Sequence, residues 1–483
     1  MEWHELSHLS REEIREIQNQ KLQRLMRHEI GYSPFYRELF KKNNINPKNI
    51  KTTDDLVQIP FVSKADLAPT EDDRGRPRQF ILQPDEHLIK KNASLPLLLK
   101  ILAMKVTGHD PKPMLEKMYK PVHMHFTTGR TALPTPVVYT ASDLELLKES
   151  GKRMLNVIHV PNSVVAINAF PYAPHLAFWL SYYSLVSVGM TSLQTGGGKI
   201  SGTQKILDAI ERLKGGLLLG IPGYIYHLLR TAVAQKRNFE NLEYVVLGGE
   251  RASPGMREKL KGLLRELGSK NPKIYVTYAF TEGKSAWIQC HESEGYHVYP
   301  DMEFFEVVDK EGKRVPEGQP GEIVYTSLDW RGTVVLRYRT GDMTQGIEYD
   351  ACRSCGKTVP RILPDIQRSS EIKEFHLTKI KGELVNMNQF FPLLSGMTTI
   401  EEWQLEIRKK DNDPHGLDEL ILYIAPSAGA DFNTVKQEVV RRIHNDVMIS
   451  VDVVEKPLQD ILDRIGMETE LKEKRIIDNR SKE

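Results

Sequence analysis

The chain has 483 residues, about three times the length of a typical single domain, which predicts more than one hydrophobic core. Charged residues make up 27% and hydrophobic residues 40%, an ordinary globular composition that excludes a mainly disordered or fibrous protein. Lys plus Arg number 66 and Asp plus Glu number 64, and a net charge of +2 gives no support to nucleic-acid binding driven by bulk charge.

The N-terminus and the cysteines indicate the compartment. Residues 1–5 have neither a basic start nor an apolar run, so no signal peptide is predicted. Three cysteines cannot form a secreted disulfide framework, and an odd number fits reduced thiols or a metal site better. A cytoplasmic protein is therefore expected.

The first predicted elements are helical. Ser10 and Glu13 have the spacing of a capping box, and apolar residues recur behind them, which predicts an amphipathic helix across residues 10–30. Residues 71–120 are predicted to be a mostly helical insertion, polar at first and then rich in leucine.

A charge-free segment follows. Residues 162–198 contain no Lys, Arg, Asp or Glu, and this length would allow a membrane span. Pro171, Pro174 and the glycines at 196–198 interrupt the segment, so we predict a buried strand–turn–helix–strand unit instead.

The middle and the end of the chain define the fold class. From about residue 121 to 345 short apolar runs alternate with helical patterns, which predicts βαβ units and a largely parallel sheet. Turn signals between Glu303 and Arg339 predict an antiparallel subdomain. The prediction is an α/β protein with a large N-terminal domain over 1–366, with mixed, largely parallel sheets flanked by helices, and a small mobile α+β domain over 367–483.

The first stretch with chemical character spans Thr127 to Thr135. Its four hydroxyls and one glycine suit a loop that wraps a polyphosphate. The stretch lacks the Gly-Lys-Ser/Thr of a Walker loop, and Thr/Gly-rich turns are common, so an ordinary turn is the alternative.

Two further stretches follow predicted strands. Leu247-Gly248-Gly249-Glu250 ends an apolar strand, where glycine lets the backbone approach a flat base. In Tyr278-Ala279-Phe280-Thr281-Glu282, a carboxylate suits a magnesium ion beside phosphate oxygens. A helix-capping threonine followed by a dipole-favoured glutamate is the structural alternative for the second stretch.

The last two stretches are C-terminal to these. Asp342 follows a glycine turn in Leu336–Asp342, where a carboxylate can accept both hydroxyls of a ribose. A lysine in residues 471–478 could neutralise the charge of a forming acyl phosphate, although basic tails are usually just solvated.

In this order and at these separations the five stretches resemble the adenylate-forming superfamily, and within it the phenylacetate–coenzyme A ligase family. Residues 32–36, 56–67 and 139–144 are also similar to that family. The resemblance covers nearly the whole chain apart from the insertion at 71–120.

The resemblance implies a two-step reaction in which a carboxylate attacks the α-phosphate of ATP and coenzyme A then displaces AMP. It implies a set of site residues, which by position are Thr127, Thr128, Gly129 and Thr131 for the phosphates; Gly248, Gly249 and Glu250 for adenine; Tyr278 for the nucleotide; Thr281 for phosphate; Glu282 for magnesium; Asp342 for ribose; Arg368 at the hinge; and Lys472 for adenylation.

Three departures from the family pattern bear on these roles. Ala132 and Leu133 replace a glycine and a lysine of the phosphate loop, and Arg130 is a substitute counter-charge. The hinge sequence around Arg368 differs from the family's. Leu471 replaces a glycine before Lys472, which leaves Lys474 as a rival for the adenylation lysine.

All three cysteines fall in two neighbourhoods. Cys352 and Cys355 form a Cys-x-x-Cys-Gly half-site, and Cys290 with one histidine completes the four ligands that a structural zinc ion needs. The resemblance implies His297 as the fourth ligand, with His291 as the alternative. Three unrelated thiols are the competing interpretation.

The acid substrate is the least readable feature of the sequence. The resemblance implies a pocket wall in the segment that contains Phe170 and Tyr172, and their aromatic surface suits an aryl acid such as phenylacetate. Core packing is the alternative role for these rings. An adenylyltransferase, a synthetase with a non-coenzyme A acceptor and a non-catalytic scaffold remain alternative functions. The oligomeric state is open, a homodimer being one alternative.

Overall fold

The computed structural model describes residues 1–127, 134–292, 294–368, 378–380, 383–385, 387–410, 418–447, 449–467, 469 and 473–480. The α-helices within these ranges are α1 (Trp3–Leu6), α2 (Arg11–Arg24), α3 (Pro34–Lys42), α4 (Lys64–Leu67), α5 (Glu86–Asn92), α6 (Leu95–Val106), α7 (Lys112–Tyr119), α8 (Ala141–Val157), α9 (Leu176–Ser187), α10 (Gly198–Ser201), α11 (Thr203–Arg212), α12 (Pro222–Ala234), α13 (Pro254–Glu266), α14 (Phe390–Ser395), α15 (Phe432–Val447) and α16 (Leu458–Ile465).

The strands in the same ranges are β1 (Pro121–Phe126), β2 (Pro136–Thr140), β3 (Val165–Asn168), β4 (Ser192–Gln194), β5 (Gly215–Gly220), β6 (Tyr244–Leu247), β7 (Lys273–Ala279), β8 (Ala286–Gln289), β9 (Tyr296–His297), β10 (Glu303–Val308), β11 (Gly321–Ser327), β12 (Tyr338–Thr344), β13 (Ile347–Glu348), β14 (Arg361–Ile362), β15 (Gln367–Arg368), β16 (Thr378–Ile380), β17 (Glu383–Val385), β18 (Ile400–Lys409), β19 (Asp418–Pro426), β20 (Asp452–Glu455) and β21 (Ile476–Asp478).

Two compact units account for the chain. Unit 1 comprises Met1–Pro161, Ala173–Met190 and Thr277–Ile366, and unit 2 comprises Asn162–Tyr172, Thr191–Val276 and Gln367–Glu483. A boundary thus falls after Ile366, but unit 2 also takes two segments from the middle of the chain. The division into domains 1–366 and 367–483 stays a prediction.

The parallel sheet of unit 2 has the strand order β4-β3-β5-β6-β7, with β7 represented by its first four residues. All six residues of β5 are buried, and Leu217–Leu219 is the uninterrupted apolar run typical of a parallel strand covered on both faces. Helices α11, α12 and α13 follow in alternation with β5 and β6. The predicted βαβ alternation is confirmed.

The C-terminal part of unit 2 is an α+β arrangement. Strands β18 and β19 pair antiparallel, β20 joins β19 in parallel, and β21 joins β18 in parallel. One core lies beneath this sheet, and α15 contributes Val435, Val439 and Ile443 to it from a single helix face. Strands and helices thus mix in this part of the chain, as the predicted α+β domain requires.

Unit 1 is built on antiparallel strands. The last three residues of β7 pair with β8, and β8, β9, β14 and β13 follow in order. A second antiparallel sheet joins β10, β11 and β12, with Phe305 opposite Tyr325. This second sheet confirms the antiparallel subdomain predicted between Glu303 and Arg339.

Local signals explain several element boundaries. The Ser10 hydroxyl oxygen accepts a hydrogen bond from the Glu13 amide, and the Glu13 carboxylate accepts one from the Ser10 amide, so the predicted capping box begins α2. The same reciprocal pair between Thr140 and Asp143 begins α8. Gly151 lies where α8 meets α9, because a Cβ there would be 1.9 Å from the Ser184 hydroxyl oxygen.

The charge-free segment forms β3, α9 and β4, as the predicted strand–turn–helix–strand unit requires. Among the helices in the described ranges, none combines the length and the apolar character needed to cross a membrane. The predicted helical insertion contains α5, α6 and α7.

Candidate active site and metal centre

Four of the predicted site residues fall outside the described residues: Thr128, Gly129, Thr131 and Lys472. Arg368 is the last residue of β15. The remaining predicted residues divide between the two units and are described within each.

In unit 1 the predicted ribose carboxylate and nucleotide tyrosine are hydrogen-bonded to each other. Tyr278, near the end of β7, donates its hydroxyl proton to Asp342 Oδ2 over 2.8 Å, and both side chains are buried. The Asp342 amide donates in turn to Thr340 Oγ1. Strand β12 therefore presents a carboxylate with one oxygen already oriented.

The predicted magnesium ligand, Glu282, also accepts a hydrogen bond from a tyrosine. Tyr338 donates its hydroxyl proton to Glu282 Oε1 over 2.8 Å. The Phe280 ring lies beside both tyrosines, with ring centroids 5.8 Å from Tyr278 and 6.4 Å from Tyr338. An aromatic cluster therefore fixes the two tyrosine hydroxyls that orient the two carboxylates.

A buried ion pair supports the turn that carries Thr281 and Glu282. Lys284 ends this 3₁₀ turn in the left-handed region at φ 59°. Its ammonium lies 3.1 Å from Asp143 Oδ2, with both side chains fully buried. Burial lowers the pKa of Lys284, and Asp143 opposes that shift. The backbone amides of Arg331 and Gly332 also donate to Asp143.

The two ends of the predicted phosphate loop are hydrogen-bonded to each other. The Thr127 amide donates to the Thr135 carbonyl over 3.0 Å, and the Thr135 amide donates to Thr127 Oγ1. On the same hairpin, His125 Nδ1 lies 2.9 Å from the Tyr139 hydroxyl. Burial lowers the pKa of His125 to about 3, so the imidazole is neutral.

In unit 2 the predicted residues follow the carboxyl ends of parallel strands. Gly248, Gly249 and Glu250 come directly after β6, and Gly249 has φ 83°, a backbone conformation that favours glycine. Phe170 and Tyr172 come after β3; Phe170 is buried, whereas Tyr172 is 57% exposed. Ligands of open α/β sheets bind at this edge.

The segment after Lys472 is held within unit 2 by buried charges. Arg475 pairs with Glu402 at 2.7 Å and with Glu473 at 2.5 Å. Arg230 on α12 lies 3.2 Å from Glu401 and 3.7 Å from Glu402. The Glu473 carboxylate occupies the space above Gly223, because a Cβ on Gly223 would lie 1.5 Å from Glu473 Oε1. This network joins α12, β18 and the tail.

The three cysteines and one histidine form a cluster in unit 1. The ligand atoms of Cys290, His297, Cys352 and Cys355 all lie within 4.8 Å of one another. Cys290 Sγ is 3.4 Å from Cys352 Sγ, and Cys355 Sγ is 3.2 Å from His297 Nε2. The cluster contains His297, as the family spacing implied, and not the alternative His291.

Sequence reasoning missed the supporting residues. Tyr338 stands within the stretch that was singled out for Asp342, and Lys284 stands two residues after Glu282, but neither was given a role. Their partners Glu282 and Asp143 are distant in sequence, and nothing local marks such pairs. The signal that could have pointed to Lys284 is its position two residues after the predicted metal ligand Glu282.

Residues 39–329, more than half of the chain, match the family of AMP-binding enzymes. A phenylacetate–coenzyme A ligase of Thermus thermophilus is 26% identical over 475 residues, covering 96% of this chain and 93% of the relative. One from Aromatoleum evansii is 23% identical over 70% of this chain and 67% of its own. The crystal structure of a 2-hydroxyisobutyryl-CoA ligase in the postadenylation state aligns over 99% of this chain and 92% of its own, with a TM-score of 0.76 at 20% identity.

The chain belongs to the AMP-binding enzyme family. The predicted fold class and the resemblance to the phenylacetate–coenzyme A ligases are both confirmed. The predicted class of enzyme, an AMP-forming acid–coenzyme A ligase, is confirmed with them.

Proposed function

We propose that this protein activates an aromatic carboxylic acid with ATP and transfers the acyl group to coenzyme A. In the first step a carboxylate oxygen of the acid attacks the α-phosphorus of ATP, and pyrophosphate leaves. In the second step the thiol of coenzyme A attacks the acyl carbon, forming the thioester, and AMP leaves. The observation that carries the proposal is the pair of buried, tyrosine-oriented carboxylates Glu282 and Asp342 in a chain of this family.

The residues of unit 1 support distinct roles in the first step. Asp342, oriented by Tyr278, would accept the ribose hydroxyls. Glu282, oriented by Tyr338, would hold magnesium, which when bound would reduce the negative charge of the phosphates. Thr281 and the residues Thr127, Thr128, Gly129 and Thr131 would donate hydrogen bonds to phosphate oxygens.

The residues of unit 2 support the remaining roles. Gly248, Gly249 and Glu250 would lie along the adenine, and Gly249 permits a close backbone approach there. Lys472 would neutralise charge in the adenylation transition state, and Arg368 would act near the hinge. Phe170 and Tyr172 follow a strand at the ligand edge of the sheet, and the names of the curated relatives support an aromatic acid.

The cysteine cluster supports a structural zinc ion. Tetrahedral zinc has ligands at about 2.3 Å, so sulfur ligands are separated by about 3.8 Å, which the measured cluster accommodates. Four protein ligands leave no open position for substrate. Cys290, His297, Cys352 and Cys355 would therefore stabilise unit 1 and take no part in the reaction.

The test separates the two half-reactions. The protein is incubated with ATP and a panel of aromatic and aliphatic acids, with and without coenzyme A, and pyrophosphate, AMP and thioester are measured. Acid-dependent pyrophosphate release, with thioester only when coenzyme A is present, is expected. Adenylate formation without thioester would favour another acceptor. No turnover and no ATP binding would favour a non-catalytic protein.

Lys472→Ala tests the adenylation residue. Removing one charge-stabilising donor should lower acid-dependent pyrophosphate release by about 100-fold, while thioester formation from supplied acyl-adenylate is retained. The matched control is Lys474→Ala, an exposed lysine two residues later. Equal loss of both half-reactions, or a larger loss in the control, would contradict the role given to Lys472.

A further inference from the structure

Helix α6 of the insertion is apolar but not packed into the core. None of its twelve residues is buried. Leu97, Leu98, Ile101 and Met104 are half-buried on one side. On the other side four aliphatic side chains are largely exposed: Leu95 at 67%, Leu99 at 56%, Leu102 at 58% and Val106 at 79%.

The exposed side chains form one stripe. At about 100° per residue, Leu95, Leu99, Leu102 and Val106 fall within about 60° of the helix circumference. We refer to these four residues as the α6 stripe. Aliphatic residues this exposed cost free energy in water, and a continuous row of them marks a surface that binds another apolar phase.

The charged residues of α6 itself are all lysines, and Glu86, an acid just before this segment, pairs with Lys90 and also interacts with Lys105. From residue 87 to residue 109 the chain contains Lys90, Lys91, Lys100 and Lys105 and no Asp or Glu. Lys100 and Lys105 lie on α6 itself, on opposite flanks of the stripe. Long lysine side chains beside an aliphatic row are the arrangement with which a helix binds a lipid interface, where the alkyl chain is buried and the ammonium reaches the headgroups.

We propose that the α6 stripe binds the surface of an anionic lipid bilayer. The helix is about 18 Å long, too short to cross a hydrocarbon layer of about 30 Å, so it would lie parallel to the membrane plane. The four leucine and valine side chains enter the acyl boundary, and Lys100 and Lys105 attract the negative headgroups.

Charge argues against a second copy of this chain as the occupant. A two-fold contact places the same surface on both sides, so Lys100 and Lys105 of both copies would be brought together, while the nearby acid Glu86 already pairs with Lys90. The composition also differs from the centre of a typical protein–protein contact, which is enriched in aromatic residues and arginine and depleted in lysine.

Vesicle flotation of the full chain tests the proposal. The protein is mixed with vesicles of phosphatidylcholine alone or with added phosphatidylserine. Binding to the phosphatidylserine vesicles, weaker binding to phosphatidylcholine and loss of binding with added salt are expected. Leu99→Glu should lower the partition coefficient by about tenfold or more, since a leucine that would enter the bilayer is exchanged for a charge.

Two matched variants complete the test. Val57→Glu alters a side chain as exposed as Leu99, at 56%, but outside the stripe, and should bind like the wild type. Lys100→Gln and Lys105→Gln, which keep every apolar residue, should each weaken binding to phosphatidylserine vesicles by about fivefold. Unchanged melting temperatures would show that all variants fold.

Three outcomes would overturn the proposal. The first is no flotation of the wild type with phosphatidylserine vesicles. The second is an equal loss of binding in Val57→Glu and Leu99→Glu. The third is a wild-type dimer that Leu99→Glu converts to a monomer by light scattering, since the stripe would then be covered by a second copy.

Discussion

Tyr278 and Tyr338 each donate one hydrogen bond to a buried carboxylate, yet the two carboxylates are proposed to hold different parts of the substrate complex. Asp342 would accept ribose hydroxyls, and Glu282 would hold magnesium. Phe280 lies beside both tyrosine rings, so removing a hydroxyl leaves the ring packing in place. The two hydroxyls can therefore be removed separately.

Tyr338→Phe should raise the magnesium concentration needed for half-maximal pyrophosphate release by about tenfold, because one hydrogen bond to a carboxylate contributes about 1.5–3 kcal/mol. Tyr278→Phe should raise the KM for ATP by a similar factor and leave the magnesium requirement unchanged. Initial-rate measurements that vary each ligand in turn distinguish the two variants. The same parameter changing in both would refute the separate roles.

Glu303 is a buried carboxyl whose ionisation opposes folding at neutral pH. Trp287 Nε1 and the Tyr299 amide both donate to its Oε1. Burial raises the pKa of Glu303 from its ordinary value of 4.5 to about 8. Between these values the unfolded chain has lost this proton and the folded chain retains it, so stability falls as the pH rises, by up to about 1.4 kcal/mol per pH unit.

Glu303→Gln removes this titration, since the amide cannot ionise. The free energy of unfolding of the variant, measured with urea from about pH 5 to about pH 8, should decline less steeply than that of the wild type. Glu311→Gln, at an exposed carboxyl, should keep the wild-type slope. Identical slopes for wild type and Glu303→Gln would be inconsistent with a buried, protonated Glu303.

At the scale of elements, the strands around the cysteine cluster are very short. Strands β9, β13 and β14 have two residues each. His297 ends β9, and Cys352 and Cys355 stand between β13 and β14. Two-residue strands have few hydrogen bonds with which to keep their register, so the cluster is well placed to stabilise this edge of the sheet.

His297→Ala should therefore reduce the zinc content from about one ion per chain and lower the melting temperature by roughly 5 °C or more. Elemental analysis and calorimetry measure the two effects. His291→Ala is the matched control, since His291 lies outside the cluster, and it should keep both the zinc and the stability. Zinc-free wild-type protein with a full melting temperature would show that the cluster does not depend on metal.

The elements that the sequence predicted well have local or compositional signals. The capping box of α2, the apolar run of β5 and the turns around β11 can each be found in a few consecutive residues. The cysteine cluster could be predicted because only three cysteines exist to be placed. The insertion at 71–120 was predicted to be mostly helical, but the exposure of α6 was not predicted, since burial depends on neighbours elsewhere in the chain.

The supporting contacts could not be predicted, because they join residues that only the fold brings together. Lys284 reaches Asp143 across more than a hundred residues, and the rings of Tyr139 and Trp330 lie within 5.2 Å of the same ammonium. No pattern along the sequence marks such a set. Unit 2 gathers segments from the middle and the end of the chain, an arrangement that no local pattern marks either.

At the scale of the whole molecule, the tail after Lys472 depends on the buried charges of unit 2. Arg475→Met would remove the cation that pairs with both Glu402 and Glu473 and leave Glu402 only the more distant Arg230, and breaking a buried pair in this way typically costs about 3–5 kcal/mol. Pyrophosphate release should fall, since the segment that follows Lys472 would no longer be held, while thioester formation from supplied acyl-adenylate continues.

The control for this change is Arg480→Met, which alters an arginine on the same tail that pairs with Asp418 and Asp478. Both half-reactions should stay near wild type in the control, and the melting temperature of each variant reports folding. Loss of both half-reactions in Arg475→Met at an unchanged melting temperature would contradict a role of the tail that is specific to adenylation.

Gly223 limits which residues this position of α12 can carry. The place of its missing side chain is filled by the Glu473 carboxylate from the far end of the chain, so a methyl group at position 223 would displace that carboxylate. A substitution in the middle of the sequence would therefore act on the charges that surround its last residues.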